Sequence, residues 1–204
     1  DNYFNVDTHI TRYNEGLPYT PLAYSTPRAT TVATRLSGRN TVMNTIASGE
    51  GDYRSLNRGK AGDAPNARLP EDITIAQIQK LQQLPVGHPD RLMAVGRYQL
   101  IPSTLQGAVK ALKLDPNTKF TPEVQDRIMK DYLLKIKRPQ IHAYISGASD
   151  DLFGAQLAMA QEFASVGVPA STTKNGQPLT TDRSYYAGSG NNKASNSSSN
   201  IAKD

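Results

Sequence analysis

Glu50 stands between Gly49 and Gly51, at the end of a stretch in which Val42, Met43, Ile46 and Ala47 recur at helical spacing. A carboxyl group in a shielded or apolar setting holds its proton to higher pH than one in water. It can then deliver that proton to a leaving oxygen, as cleavage of a glycosidic bond requires. The two glycines leave room for a bulky group to approach. The same residue types also fit a solvated carboxylate near a helix C-terminus. Asp52 and Asp63 follow Glu50 and are the candidates for a second acid, acting as nucleophile, base or ion stabiliser. Asp52 equally fits a plain loop residue, and Asp63 a turn residue beside Gly62.

A second group of residues lies in Gly96-Arg97-Tyr98-Gln99-Leu100-Ile101. Gly96 permits close approach of the backbone to a ligand, and Tyr98 and Gln99 offer donors and acceptors suited to hydroxyl and acetamido groups. Gln99 is expected in a cleft rather than capping the helix that Pro102 opens, while Tyr98 fits cleft and core equally well. Asn57 is a further candidate for glycan binding, and the neighbouring Arg58 fits a solvated loop. Tyr185 and Tyr186 sit in a glycine-flanked loop, where an aromatic face can stack on a sugar ring or pin the chain to the domain. His9, His88 and His142 lack the close spacing of a metal site. Asp115 to Lys119 begins like a calcium loop, but Phe120 stands where that loop needs glycine and Asp126 where it prefers glutamate, so a turn is expected. No metal and no cofactor are expected.

These residues need elements to position them. Asn40 is the expected N-cap of the first helix, and residues 51–72, rich in Gly, Asn, Asp and Arg, suit an irregular or short β-ribbon lobe. A helix from Ile73 to Leu84 is expected next, capped by Thr74, with Ile75, Ile78 and Leu81 or Gln82 inward and Pro85 ending it. Pro102 opens a helix with Leu105, Ala108, Val109 and Leu112 inward, and Thr121-Pro122 opens another carrying Val124, Ile128, Leu133 and Ile136. A short helix follows Pro139 and ends at Gly147, and an apolar one runs from Asp151 to Ala164 with Leu152, Ala155, Met159 and Phe163 inward. From Gly167 the periodicity is lost. Residues 1–28, with three prolines, read as an extended arm or linker, residues 29–190 as one catalytic domain, and the Asn/Ser-rich residues 191–204 as a flexible polar tail.

The composition bounds what such a domain can do. The 204 residues contain no cysteine, which excludes disulfides and thiolate chemistry. No apolar run approaches the roughly 18 residues of a membrane helix, so no span is expected. The formal charge of +5 favours anionic partners. Its lysines and arginines are scattered, without tryptophan or interleaved aromatics, which argues against nucleic acid as the partner. The start at Asp1, with neither methionine nor an apolar leader, reads as a fragment of a longer protein.

Ile46-Ala47-Ser48-Gly49-Glu50-Gly51, followed by Ala94 to Leu105, resembles the paired signature of the lysozyme-like superfamily, and is most similar to the phage lambda endolysin type of lytic transglycosylase. A Ser-Glu-Gly of that family resembles Ser48 to Gly51, and its Gly-Arg-Tyr-Gln-Leu matches Gly96 to Leu100 residue for residue. The likeness continues through Leu112-Lys113-Leu114, Phe120-Thr121-Pro122 and Gln125-Asp126, covering roughly residues 41–165. It is weaker around Ser184 to Gly188 and Asn192 to Ala194. The resemblance implies a mainly α (α+β) lysozyme-like domain, with a helical core and a small irregular or β-ribbon lobe after the first long helix. It further implies a muramidase cleaving the β-1,4 bond between N-acetylmuramic acid and N-acetylglucosamine, either as a lysozyme or as a transglycosylase leaving a 1,6-anhydro end. In that second route the substrate's C6 hydroxyl attacks, Glu50 serves as acid and then base, and no second carboxylate is needed. The expected partner is bacterial peptidoglycan, met in the periplasm or at the cell wall by a monomer that is part of a phage lysin or a secreted effector. An effector would also imply an immunity protein that blocks the cleft. The competing expectation is a wall-binding module with the same fold and no catalysis.

Overall fold

The computed structural model describes residues 39, 41–48, 51–59 and 67–186. The described chain is mainly helical, with two small two-stranded antiparallel sheets, and it divides into two compact units. One unit is residues 46–139; the other joins residues 1–45 to 140–204. No helix among the described residues is long and apolar enough to cross a membrane. Glu50, Asp63, Asn40, His9, the arm 1–28 and the tail 191–204 lie outside the described residues.

The 46–139 unit is built around Ile46, Ile75, Ile78, Val95, Leu100, Leu105, Ile128 and Met129, all fully or almost fully buried. Its helix Ile75–Gln82 starts where sequence chemistry puts it. The Thr74 hydroxyl accepts from the Gln77 amide while the Gln77 side chain accepts from the Thr74 amide, a reciprocal cap that satisfies two otherwise orphaned groups. The next two amides, of Ile75 and Ala76, donate to the carbonyls of Thr118 and Pro116, which ties the helix start to the loop 115–119. That loop is the expected turn: the Asp115 carboxylate accepts from the Asn117 amide at 2.8 Å. The helix Pro102–Leu112 has proline in its first turn, and Pro122–Arg127 adds a Thr121 hydroxyl accepting from Val124. Gln82, buried among apolar side chains, donates from Nε2 to the Leu100 carbonyl at 3.1 Å and so links its helix to the turn before Pro102.

The lobe after residue 50 is a ribbon, but its partner lies far along the chain. Strand β1 (Leu56–Asn57) pairs antiparallel with β2 (Ala94–Val95), in the register Leu56 to Val95 and Asn57 to Ala94. Single bridges join Ser55 to Arg68 and Val95 to Leu100.

Two expectations are corrected. Ile136 was expected inward and is 51 % exposed, because the chain from Ile128 to Lys137 winds as a π-helix rather than an α-helix. The buried pairs Ile128/Leu133 and Met129/Leu134 are each five residues apart, matching the i→i+5 hydrogen bonding of a π turn, and this register turns Ile136 outward. The stretch after Gly167 is also more ordered than its lack of periodicity implies. Val168 and Ala170 are buried, and β3 (Thr173–Lys174) pairs with β4 (Gln177–Pro178) across Asn175-Gly176, both at positive φ (53° and 76°), as a type I′ turn requires. In the same unit the helix Leu152–Glu162 is capped by the Asp151 side chain, which accepts from the Gly154 amide.

Candidate functional site

Gln99 occupies the last position of a tight loop between Val95 and Leu100, which exchange two backbone hydrogen bonds of 3.2 and 2.8 Å. Its φ of 46° lies in the left-handed region, uncommon for a residue with a β-carbon and costing about 1–2 kcal/mol. Its side-chain Nε2 donates to the Gly96 carbonyl at 2.9 Å, and its backbone amide donates to the same oxygen at 3.2 Å. The helix that follows takes Ile101 as N-cap without any side-chain bond, so Gln99 is not the helix cap.

Gly51, the residue directly after Glu50, comes against this side chain. A β-carbon at Gly51 would meet Gln99 Nε2 at 3.6 Å and would overlap Ser55 Oγ at 2.7 Å. The space a larger residue would fill at position 51 is thus held by Ser55, and the chain after Glu50 passes beside the Gln99 amide. Asp52 folds back on its own loop: Oδ1 accepts from the Arg54 amide at 2.8 Å, Oδ2 lies 3.4 Å from Arg68 Nε, and the side chain is 58 % exposed. That is the geometry of a turn residue with an exposed ion pair. Asn57 behaves similarly, its Oδ1 accepting from the Gly59 amide at 2.6 Å.

Gly96, expected to admit a ligand, and Tyr98, which fits cleft and core equally well in the sequence, both serve the packing. Tyr98 is 2 % exposed, and its hydroxyl donates to Asp126 Oδ1 at 2.7 Å, so it belongs to the core with its polar tip satisfied. Gly96, at φ 76°, does allow a close approach, but by the protein itself. A β-carbon there would lie 2.3 Å from Gln125 Oε1 and 2.8 Å from Phe120 Cε1.

Behind Gln99 is a polar network that sequence reasoning did not assign. Asp126 takes hydroxyl hydrogen bonds from Tyr98 and, at 3.0 Å to each oxygen, from Tyr53. Arg97 Nη1 donates to the Tyr53 hydroxyl at 2.6 Å, and its guanidinium lies over the Tyr53 ring at 4.9 Å and the Tyr98 ring at 5.7 Å. Gln125 completes it. Its Oε1 accepts from the Arg97 amide at 2.9 Å, and its Nε2 donates to the carbonyls of Tyr53 at 2.9 Å and Phe120 at 3.1 Å. Burial, reinforced by the Asp126 carboxylate, holds both tyrosine hydroxyls above the usual phenol range; at Tyr53 this outweighs the Arg97 hydrogen bond. Burial works against the Arg97 charge, yet the hydrogen bond to Tyr53 and the electrostatic pull of Tyr98, Tyr53 and Asp126 together prevail and raise its pKa. Arg97, Gln125 and Asp126 lie inside the motifs that carry the resemblance, but only their partners, up to 73 residues away, reveal what they do.

Tyr185 and Tyr186 belong to the other unit. Their rings meet edge to face with centroids 5.4 Å apart, and Lys174 Nζ sits over both, at 4.6 and 5.3 Å. Lys174 also donates to the Tyr185 carbonyl, and the Tyr186 hydroxyl donates to the Gln161 carbonyl. The pair anchors this segment to the hairpin and the helix, which is the pinning role rather than an open stacking platform. Among the described residues no cluster of His, Asp and Glu could hold a metal ion.

Comparison with protein-family models, with curated proteins and with solved structures found no match to this chain.

Proposed function

We propose that this chain is a peptidoglycan-cleaving glycosidase with a lysozyme-like fold, acting on the β-1,4 bond between N-acetylmuramic acid and N-acetylglucosamine. Glu50 is its general acid, and Gln99 binds sugar. The observation that carries this reading is the strained left-handed conformation of Gln99, at a turn that lies against Gly51, the neighbour of Glu50. Residues held in sparsely populated backbone conformations persist where surrounding structure over-determines them, and they cluster at functional sites. A glycine at position 99 would relieve the strain but would remove the side-chain amide. The net positive charge fits a wall polymer bearing carboxylates. Asp52 is engaged by the Arg54 amide and by Arg68, which speaks against it as the second acid and fits the transglycosylase branch, in which the C6 hydroxyl of the substrate attacks; in the hydrolase branch the second acid is then Asp63. Phage lysin and secreted effector are both settings in which such a domain works, in the periplasm or at the cell wall.

The test is to mix the purified protein with purified peptidoglycan, follow turbidity, and identify released muropeptides by mass spectrometry. The proposal expects clearing by the wild type and at least a roughly 10²-fold loss in a folded Glu50→Gln variant, the scale of general acid catalysis. Anhydro ends identify the transglycosylase and reducing ends the hydrolase. Binding to peptidoglycan without clearing would leave a wall-binding module, and clearing by Glu50→Gln would overturn the assignment of the acid.

A further inference from the structure

We infer that Asp126 is a positioning residue: its carboxylate, gripped by the hydroxyls of Tyr53 and Tyr98, joins the loop that follows Glu50 to the turn that carries Gln99. The inference rests on the functional reading above, and its test has an arm that does not.

Two loops at the same end of the antiparallel β1–β2 pairing, where Leu56 faces Val95, meet one short helix. Tyr53 belongs to the loop 51–55, Tyr98 to the turn 96–99, and Gln125 and Asp126 to the helix Pro122–Arg127. Each loop is held twice by the same dipeptide of that helix. Gln125 takes the backbone, through the Tyr53 carbonyl and the Arg97 amide, and Asp126 takes the side chains, through the two hydroxyls. The loops also hold each other directly, by Gly96 N–H to the Ser55 carbonyl at 2.8 Å and by Arg97 Nη1 to the Tyr53 hydroxyl. Each hydroxyl has one proton to give. The Tyr53 proton is turned to Asp126 because Arg97 already donates to the Tyr53 oxygen, so the chain of bonds runs from a fixed cation through a phenol to a fixed anion. Charged ends make such bonds stronger than neutral ones and give them a single sense. An asparagine at 126 would lack the charge, and its amide nitrogen would face hydroxyls whose protons now point at it. One tyrosine would have to turn its proton away, and the spacing between the loops would no longer be fixed.

Gln99 is the residue through which this acts. It follows Tyr98 immediately, and its side-chain amide comes within reach of position 51. A shift of the turn by a fraction of an ångström therefore moves the sugar-binding amide relative to the loop after the acid. Misplacements of about 1 Å far from the chemistry cost on the order of 10²-fold in rate.

The experiment compares Asp126→Asn with the wild type, with Tyr98→Phe and Tyr53→Phe as variants that keep the ring and the fold should the charge change prevent folding. Two quantities are read. The first is the side-chain amide resonance of Gln99 in the substrate-free protein, assigned by its loss in Gln99→Ala. The second is the kcat and KM on solubilised glycan strands, including the double variant Asp126→Asn with Gln99→Ala. The expected result is a displaced Gln99 amide resonance, kcat lowered about 10²-fold with KM nearly unchanged, and a double variant no worse than the poorer single one. An unmoved Gln99 resonance, or losses that multiply in the double variant, would overturn the inference, because a residue acting only on stability would produce neither expected signature. If the wild type fails to cleave glycan yet the Gln99 resonance still responds to position 126, the proposed activity falls and the clamp stands.

Discussion

Replacing Gly96 with alanine tests whether packing, rather than ligand approach, demands glycine there. Gly87 provides the control: it also has a positive φ, 92° against 76°, but a β-carbon at Gly87 meets nothing within 4 Å. Both substitutions force an L side chain into a left-handed backbone, at about 1–2 kcal/mol each. At Gly96 the new methyl also lands 2.3 Å from Gln125 Oε1 and 2.8 Å from the Phe120 ring. Gln125 is 1 % exposed and bonded at both ends, so it has no open space to move into. Overpacking of this kind costs about 1–3 kcal/mol, and losing the Arg97 amide bond to Gln125 adds about 0.5–1.5 kcal/mol. Gly96→Ala should therefore be less stable than Gly87→Ala by roughly 1.5–4.5 kcal/mol, a large share of the 5–15 kcal/mol that holds a typical domain. With a urea dependence of about 2 kcal/mol per molar, the two midpoints should separate by roughly 0.7–2.3 M. Urea titrations followed by far-UV circular dichroism give both midpoints. Equal losses in the two variants would refute the argument that the Gln125 contact is what position 96 must accommodate.

Gln99→Gly should leave stability nearly unchanged, since relief of about 1–2 kcal/mol of backbone strain is offset by a side-chain hydrogen bond worth about 0.5–1.5 kcal/mol and by about 0.5–1 kcal/mol of added chain entropy, while glycan cleavage falls; thermal melts and turbidity on one preparation check both halves. The phenols of Tyr98 and Tyr53 are held above their ordinary range, so the native state keeps protons that the unfolded chain loses. That stability is fully present below pH 10 and declines as pH rises beyond it, by up to about 1.4 kcal/mol per pH unit for each phenol. Tyr98→Phe should flatten the decline in denaturation midpoints measured between pH 9 and 11.5. Leu134→Ala should cost about 2–5 kcal/mol while Ile136→Ser leaves the unfolding midpoint almost unchanged, an order that an α-helical register would reverse.

Local chemistry was legible in the sequence where one turn of chain decides the outcome. Thr74, the prolines at 102 and 122 and the Thr121 hydroxyl each act within four residues and each starts a helix as expected, while the reciprocal bond from Gln77 is added by the structure. Asn175-Gly176 is an equally local hairpin signal, but it carries no apolar periodicity. The π register of residues 128–137 was not legible, because the same leucines and isoleucines fit a 3.6-residue period until the burial of successive pairs is known. Nor were the roles of Gly96 and Tyr98. Both lie in a motif that reads as a ligand site, and their uses depend on Gln125 and Asp126, 28 or more residues further along. For the same reason Asp52 could be read as an acid from its position beside Glu50, whereas Arg54 and Arg68 give it a turn and an ion pair.

The π-helix makes the length of the segment 128–137 adjustable. A π turn winds one more residue into nearly the same axial rise than an α turn does, so a segment wound this way can give up a residue and close into an ordinary α-helix without shortening its span by a full turn. Deleting one residue between Met129 and Leu133 would shorten both buried pairs from five residues apart to four and so bring both to α spacing. Everything beyond would rotate around the axis, including Lys137, whose ammonium now donates to the Thr104 hydroxyl at 3.2 Å. The chain has in effect an insertion already absorbed into a helix, and its removal would re-aim the basic end of that helix while leaving the hydrophobic seam in place.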